Sequence, residues 1–315
     1  MAAAIVDWQL AYAHVESAVR ESVSEFPLPY ATASAFGVCL QLLWAITFAT
    51  WLASIITLNY SHIDRLWSIT PFLYVWHFAY RAYLDDGAQW NDRLVLMGVL
   101  TTAWGVRLSY NFGRKGGYNL KEEDYRWAVL RETMHPILFQ ILNAVHITLF
   151  QHVLLFLTVF PAYVAYVFRS TPLNQVDYLA TGLFLAALTL ETVADQQQWV
   201  FYQTKHALLA KKATLTGDYK VGFNRSGMFA YSRHPNYVGE LSVWCAFYVF
   251  SVACTSVTWN PSIIGAVLLI LLIHSSTDFT ESITLGKYPE YKTYQQQVSR
   301  LVPWFPAKAT KDRIE

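Results

Sequence analysis

The residues best equipped for chemistry lie between Gly227 and Glu240, where Arg233, His234, Asn236, Tyr237 and Glu240 fall within eight positions. An Arg can pair bidentately with a phosphate or a carboxylate. A His donates or accepts a hydrogen bond, and an Asn amide can meet a carboxamide or a ribose edge. Pro235 fixes a turn, and Gly239 lets another backbone come close. A plain turn into a helix needs little of this, so the segment is a candidate site for a polar ligand.

Two further sets share helical spacing. Trp104, Arg107, Asn111 and Arg114 recur at three, four and three residues, and Glu191, Asp195, Gln198 and Tyr202 at four, three and four. Each set is one face of a helix. Both sit in otherwise apolar runs, where a charge is costly and usually marks function. Two readings fit them: a structural ion pair, such as Arg107 with Glu191 or Asp195, or a polar ligand clamped between helices. Asp64-Arg65-Leu66-Trp67 can be an interfacial helix start, with the Asp suiting the helix dipole, or part of a site. Glu122 to Trp127, which includes Arg126, can be a solvated amphipathic helix or a site.

The elements that position these residues must cross a membrane. The chain has 315 residues, 54% hydrophobic and 14% charged, where a soluble domain carries about 25% charged residues. Its twelve Trp, twenty Tyr and nineteen Phe suit the membrane–water boundary. Apolar stretches at 36–58, 66–80, 94–112, 137–168, 178–201, 241–259 and 262–277 predict an all-α, polytopic bundle of about seven transmembrane helices. The fourth is too long for one straight span, and Pro161 should bend it.

Basic residues then orient the bundle. Arg114 to Arg131, Lys205 to Arg233 and Lys287 to Arg313 are separated by two spans each, so all three segments share a face, which the positive-inside rule makes cytosolic. The N-terminus is lumenal or outside and the C-terminus cytosolic. The sequons Asn59-Tyr60-Ser61 and Asn224-Arg225-Ser226 fall on the cytosolic side and should stay unglycosylated. The expected divisions are an amphipathic or interfacial segment over 1–33, one transmembrane domain over 34–306 and a polar tail over 307–315. No apolar leader is visible, so targeting falls to the first span. The membrane is the endoplasmic reticulum in a eukaryote and the inner membrane in a bacterium.

Several functions are excluded. A net charge of +1 gives no support for nucleic-acid binding. Cys39, Cys245 and Cys254 form no CxxC pair, and no HExxH, HxH or carboxylate–His cluster suggests a metal. His77, His146, His152 and His274 are read as core residues. The absence of GxGxxG excludes a soluble Rossmann domain.

Ser232 to Glu240, with Tyr288-Pro289-Glu290-Tyr291 and Pro303-Trp304-Phe305-Pro306 downstream, resembles the C-terminal half of steroid 5-alpha-reductase-like membrane proteins, most closely their DUF1295 branch. That branch also carries patterns similar to Asp64 to Trp67, Trp104 to Arg114, Glu123 to Trp127 and Glu191 to Phe201. The resemblance implies NADPH bound on the cytosolic side of the bundle. Hydride would pass to a C=C bond of a steroid, sterol or other lipid, and a protein group would add the proton. Asn236 and Tyr237 would contact the cofactor, with Arg233, His234 and Glu240 nearby, and Asp195 matches the family's cofactor-contacting acid. The reductases tend to have Asn where this chain has Glu191, and Arg where it has Tyr202.

Arg107, Asn111, Arg114, Arg126 and Arg233 would serve the cofactor's phosphates on the same face. Tyr74 and Tyr110 are candidate proton donors by depth alone. Isoprenylcysteine carboxyl methyltransferases carry a similar Arg-His-Pro-x-Tyr-x-Gly core. The alternative is therefore an S-adenosylmethionine-dependent methyltransferase acting on a lipid or prenylated substrate, and a third class is a non-enzymatic lipid binder.

Overall fold

A computed structural model describes residues 8–306. The elements run α1 (Trp8–Ser24), α2 (Ala35–Thr57), α3 (His62–Leu66), α4 (Thr70–Asp85), α5 (Asp92–Arg114), α6 (Tyr125–Thr133), α7 (Pro136–Leu142), a π-helical stretch (Asn143–Phe150), α8 (Gln151–Thr158), α9 (Phe160–Val167), α10 (Gln175–Ala210), α11 (Gly217–Val221), a 3₁₀ turn (Gly227–Ala230), α12 (Pro235–Thr255), a second 3₁₀ turn (Pro261–Ile263), α13 (Ile264–Lys287) and α14 (Tyr291–Gln297). Among the described residues there is no strand.

Among the described residues, five helical stretches are long and apolar enough to cross a membrane: Ala35–Thr57, Pro136–Thr158, Gln175–Ala210, Pro235–Thr255 and Pro261–Lys287. α4 and α5 stand outside that set. α4 has 16 residues, about 24 Å of helix against a hydrocarbon core of about 30 Å. α5 has 23 residues but carries Asp92, Arg93, Arg107 and Arg114. The long fourth run divides as Pro161 requires: α8 stops at Thr158, Val159 leaves helical geometry, and Pro161 lies in the first turn of α9.

The chain forms two compact units, Met1–Gly182 with Trp244–Leu269, and Leu183–Val243 with Ile270–Glu315. In the first, α4 and α5 lie close because α5 presents glycines to its neighbour. A Cβ at Gly98 would lie 2.9 Å from the Trp76 ring, and one at Gly105 would lie 2.4 Å from the Ser68 carbonyl oxygen. A buried bidentate ion pair joins Arg93 at the start of α5 to Asp177 in the first turn of α10 (2.7 and 2.8 Å), and Arg93 also donates to the carbonyls of Thr171 and Pro172. α1 is tied to α2 by Gln41, which donates to Ser22 O (3.0 Å) and accepts from Leu28 N (2.8 Å). The expected tail over 307–315 lies outside the described residues.

In the second unit the motif over 231–240 is anchored by the C-terminal segment. Arg233 N donates to Ser299 O (2.9 Å), His234 N to Arg300 O (3.2 Å) and Trp304 N to Tyr231 O (3.0 Å). Phe223, Tyr291, Tyr294 and Val298 form an aromatic core beneath this pairing. The Tyr-Pro-Glu-Tyr and Pro-Trp-Phe-Pro motifs therefore build the platform on which residues 231–234 rest.

Candidate functional site

The second unit brings together most of the predicted ligand-binding residues. Glu191 and Asp195 lie one turn apart on α10 and Glu240 lies on α12; their exposures are 4%, 5% and 8%. Gly239 explains how these helices meet. A Cβ there would lie 2.5 Å from Glu191 Cβ and 2.8 Å from its Cα, closer than any side chain tolerates, so only Gly allows the approach. Asn236 and Glu240, four residues apart, flank Gly239 on α12. The Asn236 side chain is partly exposed and makes no hydrogen bond to the described residues. Tyr237 stacks on His234, with ring centroids 5.2 Å apart and planes at 7°.

Arg233 and His234 share one buried carboxylate. Glu281 on α13 accepts from Arg233 Nε (2.7 Å) and Nη2 (3.1 Å), His234 Nε2 (2.8 Å), Gln295 Nε2 (2.8 Å) and the Tyr291 hydroxyl (3.3 Å). Arg233 Nη1 donates to the carbonyls of Gln295 (3.1 Å) and Val298 (2.5 Å). All three guanidinium nitrogens are thus engaged inside the protein. Arg233 thus clamps the C-terminal segment onto α13, and His234 joins it.

In the first unit, Trp104 is fully buried, edge-on to Trp244 at 4.9 Å. Arg107 lines an open apolar groove of about 710 Å³ with Trp76, Val99, Thr102, Ala103, Val106 and Tyr110. Asn111 Oδ1 accepts from Arg114 Nε (3.0 Å) and Nη2 (2.7 Å), which fixes the Arg114 head. Arg126 binds Asp124 through Nε (2.9 Å) and Nη2 (3.0 Å), and Asp124 caps α6. Tyr110 is 68% exposed on the groove. Tyr74 is fully buried, and its hydroxyl has no hydrogen-bond partner among the described residues.

Asp64-Arg65-Leu66-Trp67 organises a loop. Arg65 donates to the carbonyls of Gly117 (3.1 Å), Asn119 (3.1 Å) and Glu122 (2.7 Å), and Asp64 accepts from Trp127 Nε1 (3.2 Å). Burial pushes the Asp64 carboxyl above its ordinary range, against the opposing pull of Arg126. The sequon residue Asn59 is buried, its amide nitrogen donating to the carbonyls of Leu120 (3.0 Å) and Glu122 (2.9 Å).

A second cavity in the second unit, about 340 Å³, is lined by Gln196, Gln197, Val200, Phe201, Tyr219, Asn224, Ser226 and Gly227. No local pattern marks it beyond the Asn224 sequon, because its walls come from α10, α11 and the 222–227 turn. Among the described residues no group of three or more His, Cys, Asp or Glu is placed to hold a metal ion.

Residues 50–298 match the family described as protein of unknown function (DUF1295). The chain belongs to the DUF1295 family. A relative in Schizosaccharomyces pombe, described as an uncharacterized protein, is 34% identical over 282 residues, covering 87% of this chain and 81% of the relative. No solved structure matches the chain. The DUF1295 match takes in both glycine-mediated helix approaches, the α10–α12 carboxylates and Glu281, but not the Pro303 to Pro306 platform or most of α1 and α2.

Proposed function

We propose that this DUF1295 chain is a seven-span membrane reductase, with its N-terminus lumenal and its C-terminus cytosolic. It would use NADPH to saturate a C=C bond of a steroid, sterol or other lipid. The observation that carries the reading is the α10–α12 approach at Gly239, where Glu191 and Asp195 of α10 and Glu240 of α12 are all buried and the Asn236 side chain makes no hydrogen bond to the described residues. Ionisable groups are retained at such depth in a membrane protein when they serve a ligand. Glu191, Asp195 and Glu240 are acceptors for ribose hydroxyls and a carboxamide, and Asn236 can both donate and accept. The residues present therefore fit the sugar and amide portions of a dinucleotide.

When bound, NADPH supplies the hydride. The chain must orient the lipid, exclude water and hold a proton for the second carbon. Tyr74 is the candidate by depth, and its buried hydroxyl makes no hydrogen bond to the described residues, so it is free to face a substrate. Tyr74→Phe should abolish turnover of an enone lipid while NADPH binding stays within about twofold of wild type. Wild-type turnover in that variant would remove Tyr74 from the mechanism.

One observation favours the methyltransferase alternative. With Arg233 spent on Glu281, the second unit offers a ligand buried carboxylates and amides, which suit the sulfonium of S-adenosylmethionine as well as a ribose. Thermal unfolding of the full chain in detergent separates the two readings. A ligand specific for the native state stabilises it by about 2.7 kcal/mol at a hundredfold excess over its dissociation constant. NADPH should raise the melting temperature, and S-adenosylmethionine should not. The reverse result would assign the methyltransferase, and no shift with either would point to a lipid binder.

A further inference from the structure

The 340 Å³ cavity of the second unit is too small for a whole dinucleotide and lies at the low end of the range for ligand pockets, about 300 Å³ upward. Its two sides differ in chemistry. One side is apolar and flat: Phe201 and Tyr219 stack with centroids 5.2 Å apart and planes at 13°, and Val200 borders them. The other side consists of the carboxamides of Gln196, Gln197 and Asn224 and the Ser226 hydroxyl.

Two of those carboxamides have their oxygens already committed. Asn224 Oδ1 accepts from Ser226 N (3.1 Å) and Ser226 Oγ (3.0 Å), and Gln197 Oε1 accepts from Met228 N (2.9 Å). Their amide nitrogens make no hydrogen bond to the described residues. Asn224 is only 6% exposed and lines the cavity wall. Gly227, at φ +62°, keeps the wall thin, because a Cβ there would lie 2.5 Å from Gln197 Oε1. An occupant must be flat enough to stack on aromatic rings and must offer hydrogen-bond acceptors to fixed N–H₂ groups. A purine meets both demands with its ring nitrogens, and side-chain amides are the usual readers of adenine edges.

We propose that this cavity binds the adenine ring of a nucleotide. The inference rests on the cofactor reading for the choice of adenine over guanine. It is common to both enzyme readings, since NADPH and S-adenosylmethionine each carry adenine. Two substitutions test it. Val200 is 49% exposed, so Val200→Trp fills the cavity without removing core packing. Asn224→Asp keeps the oxygen that caps Ser226 and replaces the N–H₂ donor by an acceptor.

Binding of NADPH, adenosine monophosphate and nicotinamide mononucleotide is measured by calorimetry on the full chain in detergent, with the unliganded melting temperature as a check of folding. Both variants should melt like wild type, lose tenfold or more in affinity for NADPH and adenosine monophosphate, and leave nicotinamide mononucleotide unchanged. Undiminished NADPH binding in two folded variants overturns the cavity assignment and leaves the reductase reading standing. Adenosine monophosphate binding that is lost in the variants, together with no NADPH binding in wild type, keeps the cavity assignment and sinks the reductase. Weakening of nicotinamide mononucleotide instead assigns the cavity to the other end of the cofactor, and no binding of adenosine monophosphate to wild type overturns the inference outright.

Discussion

An Arg beside a His-Pro-Asn turn can bind a phosphate or hold a fold together, and its partners decide which. Around Arg233 the partners are Glu281 and two carbonyls, so removing the guanidinium leaves a buried carboxylate without its strongest cation. Arg233→Ala should destabilise the protein by on the order of 3 kcal/mol, seen as a lowered melting temperature with or without cofactor. Unchanged stability with a selective loss of NADPH binding would return Arg233 to the ligand. Asn236→Ala should do the opposite, weakening NADPH about tenfold with little change in unliganded stability. Asp64 gives a pH signature. Because burial raises its folded pKa, the folded state holds that proton more tightly than the unfolded chain. This contribution to stability is full below the unfolded pKa and disappears as pH rises through the folded one. Asp64→Asn keeps an oxygen for Trp127 Nε1 and should flatten the mildly acidic limb of the stability–pH curve; an unaltered limb would mean that another group titrates there.

At the scale of elements, the α10–α12 approach depends on one hydrogen atom where a methyl would sit. Gly239→Ala should force the helices apart at Glu191, cost about 1–3 kcal/mol, and reduce the stabilisation given by cofactor beyond what the fold alone loses. A variant with wild-type cofactor response would detach the carboxylates from the site. This element was legible in advance. Spacings of three and four place residues on one helix face, and a Gly before Glu240 announces a close neighbour. The bend before Pro161 was legible for the same local reason. Partner choice was not. Arg93 finds Asp177 across 84 residues and Arg233 finds Glu281 across 48, and no local pattern records which distant carboxylate an Arg will meet. The π-helical stretch Asn143–Phe150 was equally hidden, since it lies in a run whose apolar pattern also suits an α-helix; there buried Asn143 donates to Ser54 Oγ at 2.9 Å.

At the scale of the whole molecule, a crossing by α4 and α5 separates seven spans from five. Contacts within the first unit bear on it. Arg169 pairs with Asp86 (3.0 Å) and Asn91 donates to Arg169 O (2.9 Å), so the α4–α5 turn shares an end with the α9–α10 connector. Asn59 and Tyr60 bond residues 120–123, so the segment after α2 shares an end with the loop after α5. Two ends joined by α5 are what a spanning α4–α5 hairpin requires. α4 reaches the interface despite its length if the chain around Arg81 and Asp85 lies among headgroups. Single cysteines introduced into a cysteine-free background decide the matter. Lys121→Cys and Lys211→Cys should react with a membrane-impermeant thiol reagent only from the cytosolic face, and Gln89→Cys only from the opposite face. Lys121 and Lys211 keep the same side whether α4 and α5 span or not, because a hairpin of two helices does not change parity. Gln89 is the position that does change. Labelling of Gln89→Cys from the cytosolic face would reduce the bundle to five spans and place Arg107 and Arg114 on a hairpin that never enters the bilayer, which removes the membrane argument for their role.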